Sequence, residues 1–222
     1  MKKILIIGDS SALPREELSY DNLYAAMLQK KLMACIINNA VTNLTSYKAY
    51  TDIKSLTLYG YDPDIVILNY GIVDVFPRPY PNKIYRLLSC SGMLPYVDRF
   101  LKKSKLYYKL GDLFNFKEVS HKKFAKYSEG IIQKLLEKNV KKIIIIGIIK
   151  PYRVLLNSKR VDEDIQKYND VFKALGFQYK EVSYLDIYRD ATEDFTIWDG
   201  YHYSKKASDY LTNKLYEYIK NA

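Results

Sequence analysis

The segment 2–11, KKILIIGDSS, constrains this chain more than any other stretch. Ile4, Leu5, Ile6 and Ile7 are consecutive branched apolar residues with turn formers behind them. Such an unbroken run fits a strand buried on both faces of a parallel sheet. Gly8 permits a tight turn at the strand's carboxyl end, and Asp9, Ser10 and Ser11 follow. If a helix starts there, Ser10 sits near its first turn, where unpaired N–H groups and the helix dipole favour negative charge on an attacking oxygen. Ser10 is therefore a candidate nucleophile. A strand end and a helix cap would use the same residue types, so Ser10 needs a partner elsewhere in the chain.

The rest of the sequence repeats the strand-then-helix rhythm. Residues 34–38, 65–68, 141–147 and 177–185 read as further strands, and 19–31, 45–58, 122–138, 162–175 and 204–219 as helices, with Gly176 as a stop. This alternation means right-handed parallel crossovers, an α/β fold with helices on both faces of a five-stranded sheet. Ligands bind outside the carboxyl ends of such strands. The loops after Ile7, Ile37, Leu68, Ile146 and Leu185 should therefore converge on one edge.

Residues 72–119 break the rhythm and read as an insertion into a single domain of 222 residues. Pro77, Pro79 and Pro81 prevent a helix from starting before Asn82, and short helices are expected at 83–88 and 95–103. Residues 151–160 read as loop. The chain's net charge of +10 is concentrated in this region: positions 83–126 carry eleven Lys or Arg against three acids. Such a patch suits an acidic glycan, a nucleotide-linked donor, anionic lipid or RNA, or is simply a solvated basic face. Nucleic acid ranks low, because aromatics at RNA-binding motif spacing are missing. The 23 tyrosines could stack on sugars, but Lys, Asn and Ile are abundant too, which looks like compositional bias.

Other chemistries lack their residues. Cys35 and Cys90 lie far apart and read as two reduced, partly buried thiols. Two separated histidines and no cysteine cluster leave too few ligands for a metal-dependent hydrolase. The turn at Gly8 lacks the glycine spacing of a dinucleotide or phosphate loop. No cofactor is expected. The four-residue apolar run at the start is too short for a signal peptide and no later segment could span a bilayer, so a cytoplasmic location is expected.

Only His121 and His202 can serve as an imidazole base. His121 stands beside Ser120, Lys122 and Lys123 at a helix start, a surface setting. His202 lies in Asp199-Gly200-Tyr201-His202, a turn before the last helix, where Gly200 lets the backbone fold back. Asp199 can then hold one imidazole nitrogen while the other faces the cleft and takes the Ser10 proton.

Gly8-Asp9-Ser10 after the first strand and Asp199-x-x-His202 before the final helix resemble the first and last blocks of the SGNH, or GDSL-type, hydrolases. The likeness spans nearly the whole chain in order, apart from the basic insertion. It implies a flavodoxin-like three-layer sandwich and a triad of Ser10 as nucleophile, His202 as base and Asp199 as its orienter. Two middle blocks depart from the pattern. Asn43 stands where the family has a glycine whose N–H holds the oxyanion, and Asn keeps that donor and tolerates unusual dihedrals. The third block, usually Gly-x-Asn-Asp, reads Gly71-Ile72-Val73-Asp74, in which Gly71 and Asp74 stay candidate oxyanion or substrate-binding residues and Val73 cannot donate. Losing one such donor costs on the order of 100- to 1000-fold in turnover. Asn69 and Arg78 are candidates to compensate, with a strand-end hydrogen bond for Asn69 and a salt bridge to Asp74 for Arg78 as the structural alternatives. The reading is an esterase removing an acyl group, most plausibly acetyl, from a carbohydrate or small oxygen ester. Alternatives are a glycan O-acyltransferase using the same acyl-enzyme and a catalytically weakened glycan-binding module.

Overall fold

The computed structural model describes residues 2–58, 62–104, 106–158 and 160–220. Lys105, counted above in the basic region, lies outside them, as does the side chain of Lys102. Five parallel strands form the sheet: β1 (Lys3–Gly8), β2 (Cys35–Ala40), β3 (Ile65–Asn69), β4 (Lys142–Ile146) and β5 (Val182–Leu185), in the order β2-β1-β3-β4-β5. The α-helices begin with α1 (Tyr24–Leu32), α2 (Ser46–Leu58), a one-turn α3 (Ile72–Val75), α4 (Asn82–Cys90), α5 (Leu94–Lys103), α6 (Leu106–Phe114) and α7 (His121–Leu136). A one-turn α8 (Tyr152–Leu155), α9 (Val161–Gln178), a one-turn α10 (Ile187–Asp190) and α11 (Lys205–Lys220) complete the series.

Successive strand residues point to opposite faces, and the apolar runs make both faces apolar. Leu5, Ile7, Val66, Leu68, Ile143 and Ile145 pack against Ala49 and Ile53 of α2, Phe124 and Ile131 of α7, and Phe172 of α9. Ile4, Ile6, Ile65, Ile67, Ile144 and Ile146 pack on the other side against Leu28 of α1 and Leu211 and Leu215 of α11. Each such fully buried side chain contributes about 1.5–3 kcal/mol relative to exposure. β1 is the keel of this arrangement: it pairs with β2 from Lys3 to Gly8 and with β3 from Ile4 to Gly8, and Ile4 to Ile7 are at most 2% exposed.

Several element bounds differ from the sequence reading. The helix expected over 19–31 is a short 3₁₀ turn, Tyr20–Asn22, followed by α1, because Leu23 between them is extended (φ −68°, ψ 139°) and buries its side chain. β2 runs on to Ala40, where the ladder with Gly8 keeps it paired. Gly176 does not stop α9. A Cβ there would lie 3.3 Å from the Cβ of Tyr184, so the glycine serves close packing of α9 on β5, and β5 begins only at Val182. α3 precedes the prolines, contrary to the expectation of no helix before Asn82, and α6 was not anticipated at all. The stretch expected as loop holds α8, and Cys90, expected to be partly buried, is exposed.

Candidate active site

The loops at the carboxyl edge of the sheet bring the two ends of the chain together. Asp9, just after β1, is in extended backbone (φ −87°, ψ −165°) and its Oδ1 accepts from the Ser11 N–H at 2.8 Å, capping a 3₁₀ turn that starts at Ser10. Asp9 is itself 2% exposed, and burial pushes its carboxyl up to about 6 against the opposing hydrogen bonds from Ser11. It is a structural carboxylate that shapes the turn bearing Ser10.

On the other side, a bridge between Thr196 and Tyr203 closes the loop before α11. Inside it the Ile197 N–H donates to the His202 carbonyl at 2.9 Å and the Gly200 N–H to the Ile197 carbonyl at 3.0 Å. Gly200 has φ +85°, and a Cβ there would come within 2.8 Å of the Arg153 Cβ, so both conformation and space require glycine. Asp199 folds back on this turn. Its Oδ1 accepts from the N–H groups of Tyr201 and His202, each at 3.1 Å, and its Oδ2 lies 2.6 Å from His202 Nδ1. Burial pushes the Asp199 carboxyl up, but these hydrogen bonds outweigh it and hold the group below the usual range. An ionised Asp199 fixes the imidazole with Nδ1 protonated and Nε2 free to accept.

Ser10 Oγ lies 2.8 Å from His202 Nε2. Residues 192 positions apart are thus linked in one hydrogen-bonded chain from Ser10 through His202 to Asp199, and Ser10 and His202 both line an open cleft of about 360 Å³. Asn43 and Val73 line the same cleft, and Asn43 takes φ +55°, the left-handed conformation its residue type tolerates.

The other residues singled out from sequence sit differently. The Asn69 amide is occupied within the core: Nδ2 donates to Tyr24 Oη at 3.2 Å and Oδ1 accepts from Tyr203 Oη at 3.0 Å. It is a strand-end tie between α1 and the His202 loop and no oxyanion donor. Asp74 is fully buried, and its carboxylate accepts from the Ser46 N–H and hydroxyl, the latter at 2.7 Å. It anchors the first turn of α2, away from the cleft lining, and burial pushes its carboxyl up to about 7. Gly71 (φ +122°) makes the turn into α3, where a Cβ would meet Ile148 at 2.8 Å; it too is a backbone device. Arg78 does reach the cleft, but its ion pair is with Glu118 at 3.0 Å, not with Asp74, and its guanidinium lies over Tyr85. His121 is exposed at the start of α7, as its neighbours suggested.

Sequence reasoning missed Arg15. A turn closed by Arg15 and Leu18, with the Leu18 side chain buried, turns the guanidinium toward the relay. Arg15 Nη2 contacts His202 Nε2 and lies 3.4 Å from the Ser10 carbonyl, while its Nε is buried without a hydrogen-bond partner. No motif marks this residue; only its position five after Ser10 could have drawn notice. Thr42 and Tyr201 also line the cleft, and the rest of its wall comes from the insertion, with Tyr85, Asp98, Tyr107 and Tyr108 supplied by α4, α5 and α6.

No protein-family model matches the sequence, and no curated protein matches it by sequence. Solved structures do match its fold. A lipase/acylhydrolase from Enterococcus faecalis superposes with a TM-score of 0.66 at 17% identity, covering 100% of this chain and 96% of that one. A catalytic mutant of an acetylxylan esterase from Geobacillus stearothermophilus gives 0.62 at 16% identity over 97% and 93%. A member of the lipolytic G-D-S-L family from Veillonella parvula gives 0.63 at 11% identity over the whole of both chains. The chain thus has the fold of the SGNH, or GDSL-type, hydrolases.

Proposed function

We propose that the protein is a serine ester hydrolase in which Ser10, His202 and Asp199 form the catalytic triad. The observation that carries this reading is the unbroken path from Ser10 Oγ to His202 at 2.8 Å and on to Asp199 at 2.6 Å, open to a cleft. In the reaction His202 Nε2 takes the hydroxyl proton as Ser10 Oγ bonds to the ester carbonyl carbon. The imidazolium, held by Asp199, then gives that proton to the departing alkoxide. Water activated by the same ring hydrolyses the acyl-enzyme and restores Ser10.

The carbonyl oxygen becomes an oxyanion, and the N–H groups of Ser10 and Asn43 are its proposed backbone donors. Val73 leaves the third donor position apolar. Arg15, beside Ser10, is the proposed substitute donor. With Nδ1–H given to Asp199, Nε2 has one lone pair, and Ser10 Oγ and the Arg15 guanidinium compete for it. Arg15 must leave Nε2 for the proton transfer to proceed, and a developing oxyanion beside Ser10 would draw it.

The substrate proposed is an acetyl ester of a carbohydrate. The cleft offers aromatic rings at Phe76, Tyr85, Tyr107, Tyr108 and Tyr201 for sugar faces, and its size suits a short acyl group. An acetylxylan esterase among the structures of like fold adds weight. Treating the protein with an organophosphonate and mapping the adduct by mass spectrometry tests the mechanism. The label is expected on Ser10 and is lost in His202→Ala; an unlabelled Ser10, under conditions that label a control esterase, overturns the reading.

A further inference from the structure

The insertion helices α4, α5 and α6 turn one side to the cleft and leave the other uncovered. Of the fifteen large apolar side chains that stand exposed among the described residues, eight fall between positions 84 and 114. Leu87, Tyr96, Phe100 and Leu113 are 69%, 73%, 67% and 72% exposed. Helical spacing gathers them onto shared faces: Ile84 with Leu87, Tyr96 with Phe100, and Leu106 with Leu113. Lys83, Arg86, Arg99, Lys103 and Lys109 are exposed between them.

The acids of the same helices point elsewhere. Asp98 faces the cleft and accepts from the Tyr80 hydroxyl, and Asp112 accepts from the Ser158 hydroxyl. Among the described residues the outer side therefore combines large apolar groups with positive charge only. A second copy of the chain does not suit it, since pairing two such sides would bring like charges together. A solvated basic face would not need the apolar groups, and apolar contact patches of this kind on a surface mark an interaction site.

We propose that the outer side of α4–α6 docks on an anionic phospholipid surface. The helices lie in the interface plane, with the apolar side chains entering the acyl boundary and the cations meeting the headgroups. Among the described residues no helix is long and apolar enough to cross a membrane, so this attachment is peripheral. The same helices carry Tyr85, Asp98, Tyr107 and Tyr108 of the cleft wall, so lipid contact and access to Ser10 run through one element. The proposal does not rest on the ester-hydrolase reading.

Co-sedimentation of the full chain tests it, using vesicles of phosphatidylcholine alone and of equimolar phosphatidylcholine and phosphatidylglycerol. Binding at least tenfold tighter to the anionic vesicles, and weakening with salt, is expected. Leu87→Ser with Phe100→Ser should weaken that binding about tenfold or more. Each of Lys83→Gln, Arg86→Gln and Arg99→Gln should weaken it about fivefold. The same variants should keep the wild-type thermal melt, which separates lost docking from lost folding. Equal binding to both vesicles, or unaltered binding by the Leu87→Ser/Phe100→Ser variant, overturns the proposal. So does a dimer in sedimentation velocity that Phe100→Ser dissociates, which would assign the surface to a second copy.

Discussion

Ser10 and Phe100 belong to regions that meet at one cleft but are held in place by different physics. Ser10 follows β1, whose apolar residues are at most 2% exposed and which is paired on both sides; Phe100 is 67% exposed on a helix of the insertion. At the sheet edge each functional group is fixed by neighbours that are themselves buried, such as Asp9 under the Ser10 turn and Tyr203 beneath the His202 loop. In the insertion only the inward face has such neighbours. Substitutions at the edge should therefore change rate without loosening the fold, whereas outer-face substitutions should change what the molecule touches and leave the chemistry alone.

The largest effect expected is at the proposed nucleophile. Ser10→Ala should lower hydrolysis of a chromogenic acetyl ester by about 10⁴-fold or more, with no change in the urea midpoint. Asp199→Asn keeps the shape but removes the charge that stabilises the imidazolium, and a loss of about 10³-fold or more is expected in the same assay. Wild-type rates from either variant would place the chemistry elsewhere.

A smaller effect separates buried carboxylates that look alike in sequence. Asp74 and Asp9 are raised by burial, to about 7 and about 6, from an ordinary value of 3.8, whereas Asp199 is lowered. A raised carboxyl favours the fold while protonated, so its contribution is full below about pH 4 and is lost as pH rises through the folded value. Asp199 acts in the opposite sense, stabilising above its unfolded value and losing that as pH falls. Between about pH 4 and pH 7 the raised pair should make urea stability fall with rising pH. The Asp74 share is on the order of 2–4 kcal/mol. Asp74→Asn should flatten the upper part of that decline; an unchanged slope would mean Asp74 is ionised throughout.

This contrast marks what the amino-acid order could reveal. Runs such as Ile4 to Ile7 and Ile143 to Ile146 have no polar alternation, so burial on both faces, and with it the parallel sheet, was legible. The meeting of Ser10 with His202 and Asp199 was legible because Gly8-Asp9-Ser10 and Asp199-x-x-His202 carry their geometry within four residues. The strand-end reading of Asn69 was open from the sequence and is the one the structure shows, whereas the sequence could not place Asp74 and Gly71, because their partners Ser46 and Ile148 are remote and a residue after a strand looks the same whether it faces the cleft or the core. Arg15 was invisible for a related reason: its orientation depends on a turn anchored by Leu18. Helix α6 escaped because its sequence, LYYKLGDLF, contains a glycine at Gly111 that lies against the Pro77 carbonyl, a packing requirement that resembles a helix break.

The most discriminating of the smaller predictions concerns the gap at Val73. An Asn there would restore a side-chain donor at the cleft wall, and a donor of that kind is worth on the order of 100-fold where nothing replaces it. Arg15 already stands beside Ser10, so the gain in kcat for Val73→Asn in the otherwise native protein should be about tenfold. Arg15→Met alone should lower kcat by about 100-fold, and adding Val73→Asn to it should recover most of that loss. The two substitutions then act on one charge and cannot be additive. Equal gains from Val73→Asn with and without Arg15 would show that the guanidinium serves another end, and that the backbone N–H groups of Ser10 and Asn43 carry the oxyanion alone.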